Sequence, residues 1–295
     1  MGELAALATA VCWSLTGIFF SYSGRRVGSE VVNRVRLGFA ILYISLAHLA
    51  LQGTLFPWGT EGWRWGWLAL SSVLGLALGD GALFYAYVLI GPRLAQLVMA
   101  GVPIMSAFVA WLAFGETLSG WEMVGIVVAL AGIVWVITEK QPAAIPGQSR
   151  QYGLGLLMAL GGALGQTANL IFARYALADG FSALSATEIR LVVGAVVLWG
   201  WSGLRGEIRP ILSKLSDRRA LSALAGGALV GPFLGIWLSL WAIQHTRVGI
   251  ASTLMALPPV LLLPLSALFF GERITWRGVL GTLITFAGVS FLFLI

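Results

Sequence analysis

The sequence predicts an all-α polytopic membrane protein with ten transmembrane helices in a 5+5 inverted-topology repeat. Three observations support this fold class. Of the 295 residues, 59% are apolar and 10% are charged, and the mean hydropathy is +0.91. The apolar residues form continuous runs of helix length. The second half of the chain also repeats landmarks of the first half.

The composition excludes several classes of protein. A soluble globular protein is about 45–50% apolar and about 25% charged, so this chain could not cover its surface with polar groups in water. Soluble enzymes, disordered chains and fibrous proteins are therefore excluded. The single cysteine, Cys12, provides neither a disulfide framework nor a thiolate metal site. The net charge of +6 reflects membrane topology rather than nucleic-acid binding, because the chain has no long basic run.

The apolar runs predict helices because a bilayer cannot hydrate backbone amides, and because the runs lack the alternation of barrel strands. The first run has no basic residues before it, which is typical of a retained helix rather than a signal peptide. Ser119 and Glu122 form a capping-box pattern, and Glu116 is expected to cap the same helix. We expect helices at 3–22, 32–52, 65–89, 93–114, 120–138, 152–176, 183–203, 220–243, 249–270 and 275–294.

An internal repeat organises these helices. A shift of 156 positions aligns 75–137 with 231–293 without a gap and gives 15 identities over 63 positions. We therefore expect a first repeat at 1–140, a linker at 141–151 and a second repeat at 152–295. Five helices in each half invert the second half, and inverted repeats place a binding site between them near the midplane. Matched landmarks are Gly75/Gly231, Gly79/Gly235, Met99/Met255, Pro103/Pro259, Gly115/Gly271, Glu116/Glu272, Gly125/Gly281, Gly132/Gly288 and Arg36/Arg190.

These landmarks resemble the drug/metabolite transporter superfamily, specifically its EamA-type ten-helix exporters. The resemblance rests on Trp13-Ser14, on Arg36 and on Phe114-Gly115-Glu116, together with Phe270-Gly271-Glu272-Arg273 and the Ala-Gly pairs at 131–132 and 287–288. It implies a central cavity and the efflux of small metabolites. The aromatic-rich composition is similar to that of YddG-type amino-acid exporters.

Three ionisable residues are candidates for substrate binding, since a charge inside a span costs at least about 2.5–3.5 kcal/mol. Asp80, between Gly79 and Gly81, suits a substrate ammonium or a coupling proton. An internal ion pair would explain it equally well. Arg36 and Arg190 suit a substrate carboxylate, which a guanidinium binds through two hydrogen bonds. The alternative for both is that the side chain reaches the lipid headgroups.

Neutral polar and aromatic residues complete the predicted binding site. Ser14, Gln166 and Asn169 lie near the middle of the helices that begin the two halves. They would hydrogen-bond either a solute or a neighbouring helix. Trp13 lies far from the membrane interface, which favours a cavity position.

Two further aromatic residues and two prolines belong to the same prediction. Tyr85 and Trp237 would hold an apolar side chain or an ammonium. Pro103 and Pro259 fall at the middles of predicted helices, where proline removes a hydrogen bond and kinks the helix. We predict that both prolines are hinges, with curvature for packing as the alternative.

Together these features predict a secondary transporter that exports small amphipathic metabolites, above all aromatic or neutral amino acids, by alternating access. The alternatives are a transporter of drugs, lipophilic cations or nucleotide sugars with the same fold, a passive pore, and a structural bundle. The chain carries no enzyme motif, because it lacks a His-Glu-x-x-His helix and a P-loop. We expect no cofactor, no metal and no nucleic-acid partner. The expected partners are a small solute, the bilayer and a coupling proton, and we expect a monomer in a bacterial inner membrane.

Two arguments about the membrane orientation give opposite answers. The loops after odd-numbered predicted helices, with the adjacent helix ends, hold 14 of the 18 Lys and Arg residues. The positive-inside rule would make those loops cytoplasmic and put both termini outside. The family resemblance implies cytoplasmic termini, and we adopt that orientation as the expectation. If cysteines introduced at positions 145 and 210 react only with a reagent on the cytoplasmic side, this orientation is refuted.

Overall fold

A computed structural model describes residues 1–137, 152–258, 260–261 and 275–293, and every regular element in these ranges is helical. The predicted linker, 141–151, lies outside them. The helices are α1 (Gly2–Val27), α2 (Ser29–Gln52), α3 (Gly62–Ser72), α4 (Asp80–Met99), α5 (Val102–Phe114), α6 (Gly120–Ile137), α7 (Tyr152–Ala176), α8 (Ala183–Leu204), α9 (Ile208–Ser213), α10 (Arg218–Ala228), α11 (Ile236–His245), α12 (Val248–Met255) and α13 (Trp276–Phe293).

Most of these helices suit a bilayer. Six helical stretches within the described ranges are long and apolar enough to cross it, whereas α5 and the first part of α6 are shorter apolar helices. Large apolar side chains remain exposed on the outer surface, as expected for a chain whose solvent is lipid rather than water. The six stretches are Gly2–Gly24, Glu30–Gln52, Gly62–Leu83, Tyr152–Ala176, Ala183–Leu204 and Arg218–His245.

Polar contacts between helix ends define two opposite faces of the molecule. At one face, Thr246 donates a hydrogen bond to Glu3 over 2.6 Å. We call this the N-terminal face. At the other, Arg26 donates to Asp217 over 2.8 Å and Arg34 pairs with Glu207 over 3.1 Å. We call this the basic face, because it carries most of the basic loop residues.

The two halves run in opposite directions across the bilayer. Helix α1 begins at the N-terminal face and ends near Arg26 at the basic face. Helix α7 runs antiparallel to the stretch from α3 to α4, since Gly155 lies against Ile90 and Arg64 donates to the carbonyl of Ala176. Near the end of α7, Arg174 donates to the carbonyl of Gln244, two residues before Thr246, so α7 ends where α1 begins. The predicted inverted repeat is confirmed.

Irregular turns also follow the repeat. Two segments of seven residues, Val73–Gly79 and Leu229–Gly235, form wide π-helical turns, and they are separated by the 156-residue shift of the sequence repeat. Helical hydrogen bonding is also interrupted at Ala100-Gly101 and at Ala256-Leu257, again at the same shift. A π-helical turn inside an α-helix is often found at a functional site.

One predicted helix boundary is wrong. The sequence predicts a break at Gly91-Pro92, but α4 continues to Met99 and the interruption comes at Ala100-Gly101. Phe114 packs on Tyr175 at the N-terminal face, so the chain reverses direction between Ile90 and Val102. Pro103 consequently lies in the first turn of α5, where its missing N–H costs no hydrogen bond. It is not in the middle of a helix as predicted, and Pro259 lies outside the described residues.

The N-terminal face is closed by packing and by capping interactions. Ser119 and Glu122 form the predicted capping box, with hydrogen bonds of 2.7 and 3.2 Å. Glu116 caps a different helix from the predicted one: it accepts a hydrogen bond from the N–H of Val248, at the start of α12. Arg247 in turn donates to the Thr117 carbonyl over 2.8 Å. These contacts join the two halves at this face.

Candidate functional site

A cavity of about 730 Å³ lies between the two halves. It extends from the middle of α1 at Trp13 towards the basic face at Gly24 and Val32. Among the described residues that line it, none belongs to the loops of the N-terminal face. The cavity therefore opens towards the basic face.

Many of the residues that line the cavity lie at positions related by the sequence repeat. Met99 and Met255, which the 156-residue shift relates, both line it, as do the related pair Leu76 and Pro232. Helices α1 and α7 contribute related residues at a shift of 153, and Arg36 and Arg190 are related by a shift of 154. Several of the pairs differ in chemistry, so the two halves contribute different groups to the site. Examples are Trp13/Gln166, Thr16/Asn169 and Asp80/Ile236.

Arg36 and Asp80 face each other across the cavity wall. The Nη2 of Arg36 donates to Oδ2 of Asp80 over 2.8 Å, and both side chains are largely buried. Phe20 lies beneath the guanidinium, with its ring centroid 5.8 Å from Cζ. The alternative of an internal ion pair is therefore the arrangement found at Asp80.

Arg190 lies deeper in the cavity, and its residue is only 1% exposed. Its Nη2 donates to Oδ1 of Asn169, which also accepts a hydrogen bond from Ser71 over 2.8 Å. Gln166 completes the chain by accepting from Nδ2 of Asn169 over 3.1 Å. Within the described ranges, Nε of Arg190 has no hydrogen-bond partner and no carboxylate lies within ion-pairing distance of the guanidinium. A buried cation in this position is suited to an anionic ligand.

Close backbone approach positions the polar groups. A Cβ atom on Gly75 would lie 2.7 Å from Cβ of Asn169, and one on Gly231 would lie 2.5 Å from Oγ1 of Thr16. Both glycines belong to the π-helical turns. Only a residue without a side chain fits at these two positions. The wide turns therefore set the depth of Asn169 and Thr16 in the cavity.

Six of the nine predicted binding residues line the cavity, and three do not. Tyr85 is 50% exposed on the outer surface, because it lies about 140° around the helix from Asp80. Ser14 is buried and donates to the Ala10 carbonyl over 2.7 Å. Trp237 stacks on Phe233 at 5.9 Å between ring centroids. The six that line the cavity are Trp13, Arg36, Asp80, Gln166, Asn169 and Arg190.

Several cavity residues were missed by the sequence prediction. Gly17, Phe20 and Gly24 follow Trp13 along one face of α1, and helical spacing from Trp13 would have found them. Asn33 also lines the cavity, and its buried Oδ1 has no partner among the described residues.

Comparison with known proteins agrees with the geometry. The model of the EamA-like transporter family matches residues 1–138 and again residues 153–294. A curated relative from Streptantibioticus cattleyicolor, named as a probable terminal-alkyne amino-acid exporter, is 31% identical over 112 residues. That match covers 38% of this chain and 36% of the relative's length. A solved structure described only as the crystal structure of a protein superposes with a TM-score of 0.77 at 17% identity. The superposition covers 99% of this chain and 96% of the other, which supports the fold.

Proposed function

Because this chain belongs to the EamA-like transporter family, we propose that it exports small amphipathic metabolites, specifically aromatic or neutral amino acids, by alternating access. The family makes the chain an integral membrane transporter of small metabolites. The choice of amino acids is our own. It is supported by the similarity to the Streptantibioticus cattleyicolor protein, which is named as a probable terminal-alkyne amino-acid exporter, and by the chemistry of the cavity.

The observation that carries this proposal is the buried guanidinium of Arg190. An unpaired buried cation is costly, so the group needs an anionic partner during the transport cycle. Its hydrogen bond to Asn169 fixes one Nη atom, and Nε is buried without a partner among the described residues. A substrate carboxylate would accept a hydrogen bond from this nitrogen and neutralise the charge.

The rest of an amino acid finds complementary groups nearby. Oδ1 of Asn33 and the carboxylate of Asp80 are acceptors for a substrate ammonium, although Asp80 would have to share its charge with Arg36. Trp13, Phe20 and the two related methionines provide an apolar surface for a side chain. The cavity volume of about 730 Å³ falls within the range of sites for small molecules.

The charge of the cavity disfavours cationic cargo. Its described lining contains two arginines and one aspartate, which leaves a net charge of +1. A lipophilic cation would find the carboxylate of Asp80 already paired. Cargo with a phosphate, such as a nucleotide sugar, would suit the two guanidinium groups, so it is the rival to be tested.

Alternating access is supported by the symmetry of the two halves. The cavity opens towards one face, and inverted repeats can exchange conformations to open the same site to the other face. The paired π-helical turns and paired interruptions give each half the same local irregularities. In the change from one open state to the other, each half would adopt the conformation of its counterpart.

Counterflow in proteoliposomes tests the proposal. Vesicles containing purified protein are preloaded with unlabelled phenylalanine, and the uptake of labelled phenylalanine is measured. We expect saturable uptake that neutral amino acids inhibit. Phenethylamine, which lacks the carboxylate, should inhibit at least about tenfold more weakly because it loses a charged hydrogen bond. Stronger inhibition by tetraphenylphosphonium or by a nucleotide sugar, or unsaturable flux, would refute the amino-acid assignment.

A further inference from the structure

We propose that Glu188 is a proton-binding site of the transporter, and that His48 connects it to the N-terminal face. The inference rests on the proposed transport function, and it assigns the coupling proton to a residue outside the substrate cavity. Glu188 lies on α8 and is fully buried. It is absent from the cavity lining, because it lies about 200° around the helix from Arg190.

Glu188 has the contacts of a group that exchanges a proton. One carboxyl oxygen accepts a hydrogen bond from Ser45 of α2. The other, Oε2, is buried and has no partner in the described part of the chain, and no basic side chain there forms an ion pair with Glu188. A buried carboxylate that lacks a counter-ion costs several kcal/mol, and in membrane proteins such groups commonly belong to proton relays.

A ladder of polar side chains lies between the helical turn next to Glu188 and the N-terminal face. One helical turn away, Nε2 of His48 lies 3.0 Å from Oγ of Ser185. On the next turn, Oγ of Ser185 donates to Oε1 of Gln52 over 3.1 Å, and Nε2 of Gln52 donates to Ser182 over 2.7 Å. His48, Gln52, Ser182 and Ser185 line a second pocket of about 390 Å³ at this face.

The hydrogen bonds around His48 permit both of its charge states. Its Nδ1 lies 2.6 Å from the carbonyl oxygen of Thr54, so this nitrogen carries a hydrogen. When the hydroxyl of Ser185 donates to Gln52, Nε2 of His48 must donate as well, and the imidazole is cationic. When that hydroxyl turns to His48, Nε2 accepts and the imidazole is neutral. Rotation of one hydroxyl therefore accommodates gain or loss of a proton.

The other elements that pack against α8 bring no competing charge to this position. Helix α8 contacts α2, α3, α9, α11 and the π-helical turn at 73–79. Arg209 of α9 is exposed beyond the C-terminal end of α8, at the basic face. Arg64 of α3 is held at the N-terminal face by Glu61 and by carbonyl oxygens. His245 of α11 stacks on Trp241, and the π-helical turn contains no ionisable residue. His48 is accordingly the ionisable partner that α2 presents to Glu188.

The proton step is a simple association. Binding forms one O–H bond on the carboxyl group of Glu188 and takes one proton from the aqueous phase, and release reverses it. In the conformation described, the polar side chains one turn from Glu188 line the pocket at the N-terminal face, whereas the substrate cavity opens towards the basic face. Opposite access of the two sites is an arrangement suited to exchange of a proton for a substrate.

Infrared spectroscopy of the purified protein tests the proton site without a substrate. A protonated carboxyl group has a C=O stretch that a carboxylate lacks. We expect a band of this kind that titrates with pH in the wild-type protein and is absent from Glu188→Gln. His48→Asn should shift its titration, and Glu30→Gln, which changes an exposed carboxyl group, should leave it intact. A spectrum of Glu188→Gln that is identical to wild type would overturn the proposal.

Transport then separates the proton site from the proposed function. We expect Glu188→Gln to keep phenylalanine counterflow within about twofold of wild type. It should lose at least about 90% of the accumulation driven by a pH gradient, because only the coupled step needs the proton. Equal loss of counterflow and of accumulation, or retention of both, would overturn the role of Glu188. Absence of wild-type counterflow for every amino acid would instead refute the proposed function and leave the infrared result standing.

Discussion

Gly75 and Asn169 lie in direct contact across the two halves, so closely that a Cβ atom on Gly75 would be 2.7 Å from Cβ of Asn169. Asn169 accepts the hydrogen bond from Arg190. The wide turn that contains Gly75 therefore helps to determine where the buried guanidinium lies. The related contact between Gly231 and Thr16 places a hydroxyl group at the position where the other half has the amide of Asn169.

Replacing Gly75 by alanine should weaken substrate binding. The added methyl group would displace Asn169, and overpacking of this kind costs about 1–3 kcal/mol. We expect the apparent affinity for phenylalanine to fall about 5- to 30-fold in counterflow, which corresponds to 1–2 kcal/mol. Gly81→Ala is the matched control, because nothing lies within 4 Å of a Cβ atom at Gly81. Equal affinities of the two variants would contradict the role given to the contact.

Arg190 should tolerate neither lysine nor glutamine. Lysine keeps the charge but lacks the planar fork and Nε, so Arg190→Lys should lower the affinity for phenylalanine about tenfold or more. Arg190→Gln should abolish saturable counterflow. The preference for a carboxylate is measured as the ratio of the inhibition constants of phenethylamine and phenylalanine. In Arg190→Lys the two constants should become more similar. An unchanged preference for phenylalanine would argue against carboxylate recognition by this residue.

The pair formed by Arg36 and Asp80 should be needed for both folding and transport. Asp80→Asn removes the counter-ion of a largely buried guanidinium, and breaking a fully buried pair costs about 3–5 kcal/mol. Asp80 is partly exposed, so we expect a smaller loss, seen as a lower melting temperature in detergent. Phenylalanine flux should fall at least about tenfold.

The double variant Arg36→Gln, Asp80→Asn separates the two effects. Removing both charges should restore the melting temperature, since residue 36 no longer carries a charge that has lost its counter-ion, but not the flux. Normal flux in Asp80→Asn alone would exclude a transport role for this carboxylate.

Pro103 should be less important than its midspan position in the sequence suggests. It lies in the first turn of α5, so alanine would neither gain nor lose a helical hydrogen bond. We expect the counterflow rate of Pro103→Ala to stay within about twofold of wild type. A rate reduced tenfold or more would show that the proline ring itself controls the hinge.

The sequence predicts much of the fold because its repeat consists of residues with special backbone requirements. Gly75, Gly79 and their partners at 231 and 235 are matched since both π-helical turns need close approach to another helix. The break predicted at Gly91-Pro92 is wrong because composition marks turns but does not report helical hydrogen bonding. Arg36 and Arg190 were predicted to line the cavity because a charged side chain inside a membrane span is costly and usually has a function.

The parts of the site that the sequence does not predict depend on helix rotation and on tertiary pairing. Tyr85 and Ser14 are close in sequence to residues that line the cavity, but they lie on other faces of their helices. The pairing of Arg36 with Asp80 joins residues that are 44 positions apart, and no local pattern reveals it. The ladder from Glu188 to Gln52 likewise requires the packing of α2 on α8.

Cysteine accessibility at Phe20 and Ala173 tests alternating access by two inverted halves most directly. The two positions are related by the 153-residue shift of α1 and α7: Phe20 lines the open cavity, whereas Ala173 is fully buried on the N-terminal side. In a Cys12→Ser background, we expect Phe20→Cys to react with a membrane-impermeant thiol reagent from the basic face. Phenylalanine counterflow should lower that reactivity and raise the reactivity of Ala173→Cys from the N-terminal face. Ala173→Cys that stays unreactive under all conditions, or simultaneous reaction at both positions in one molecule, would contradict the account.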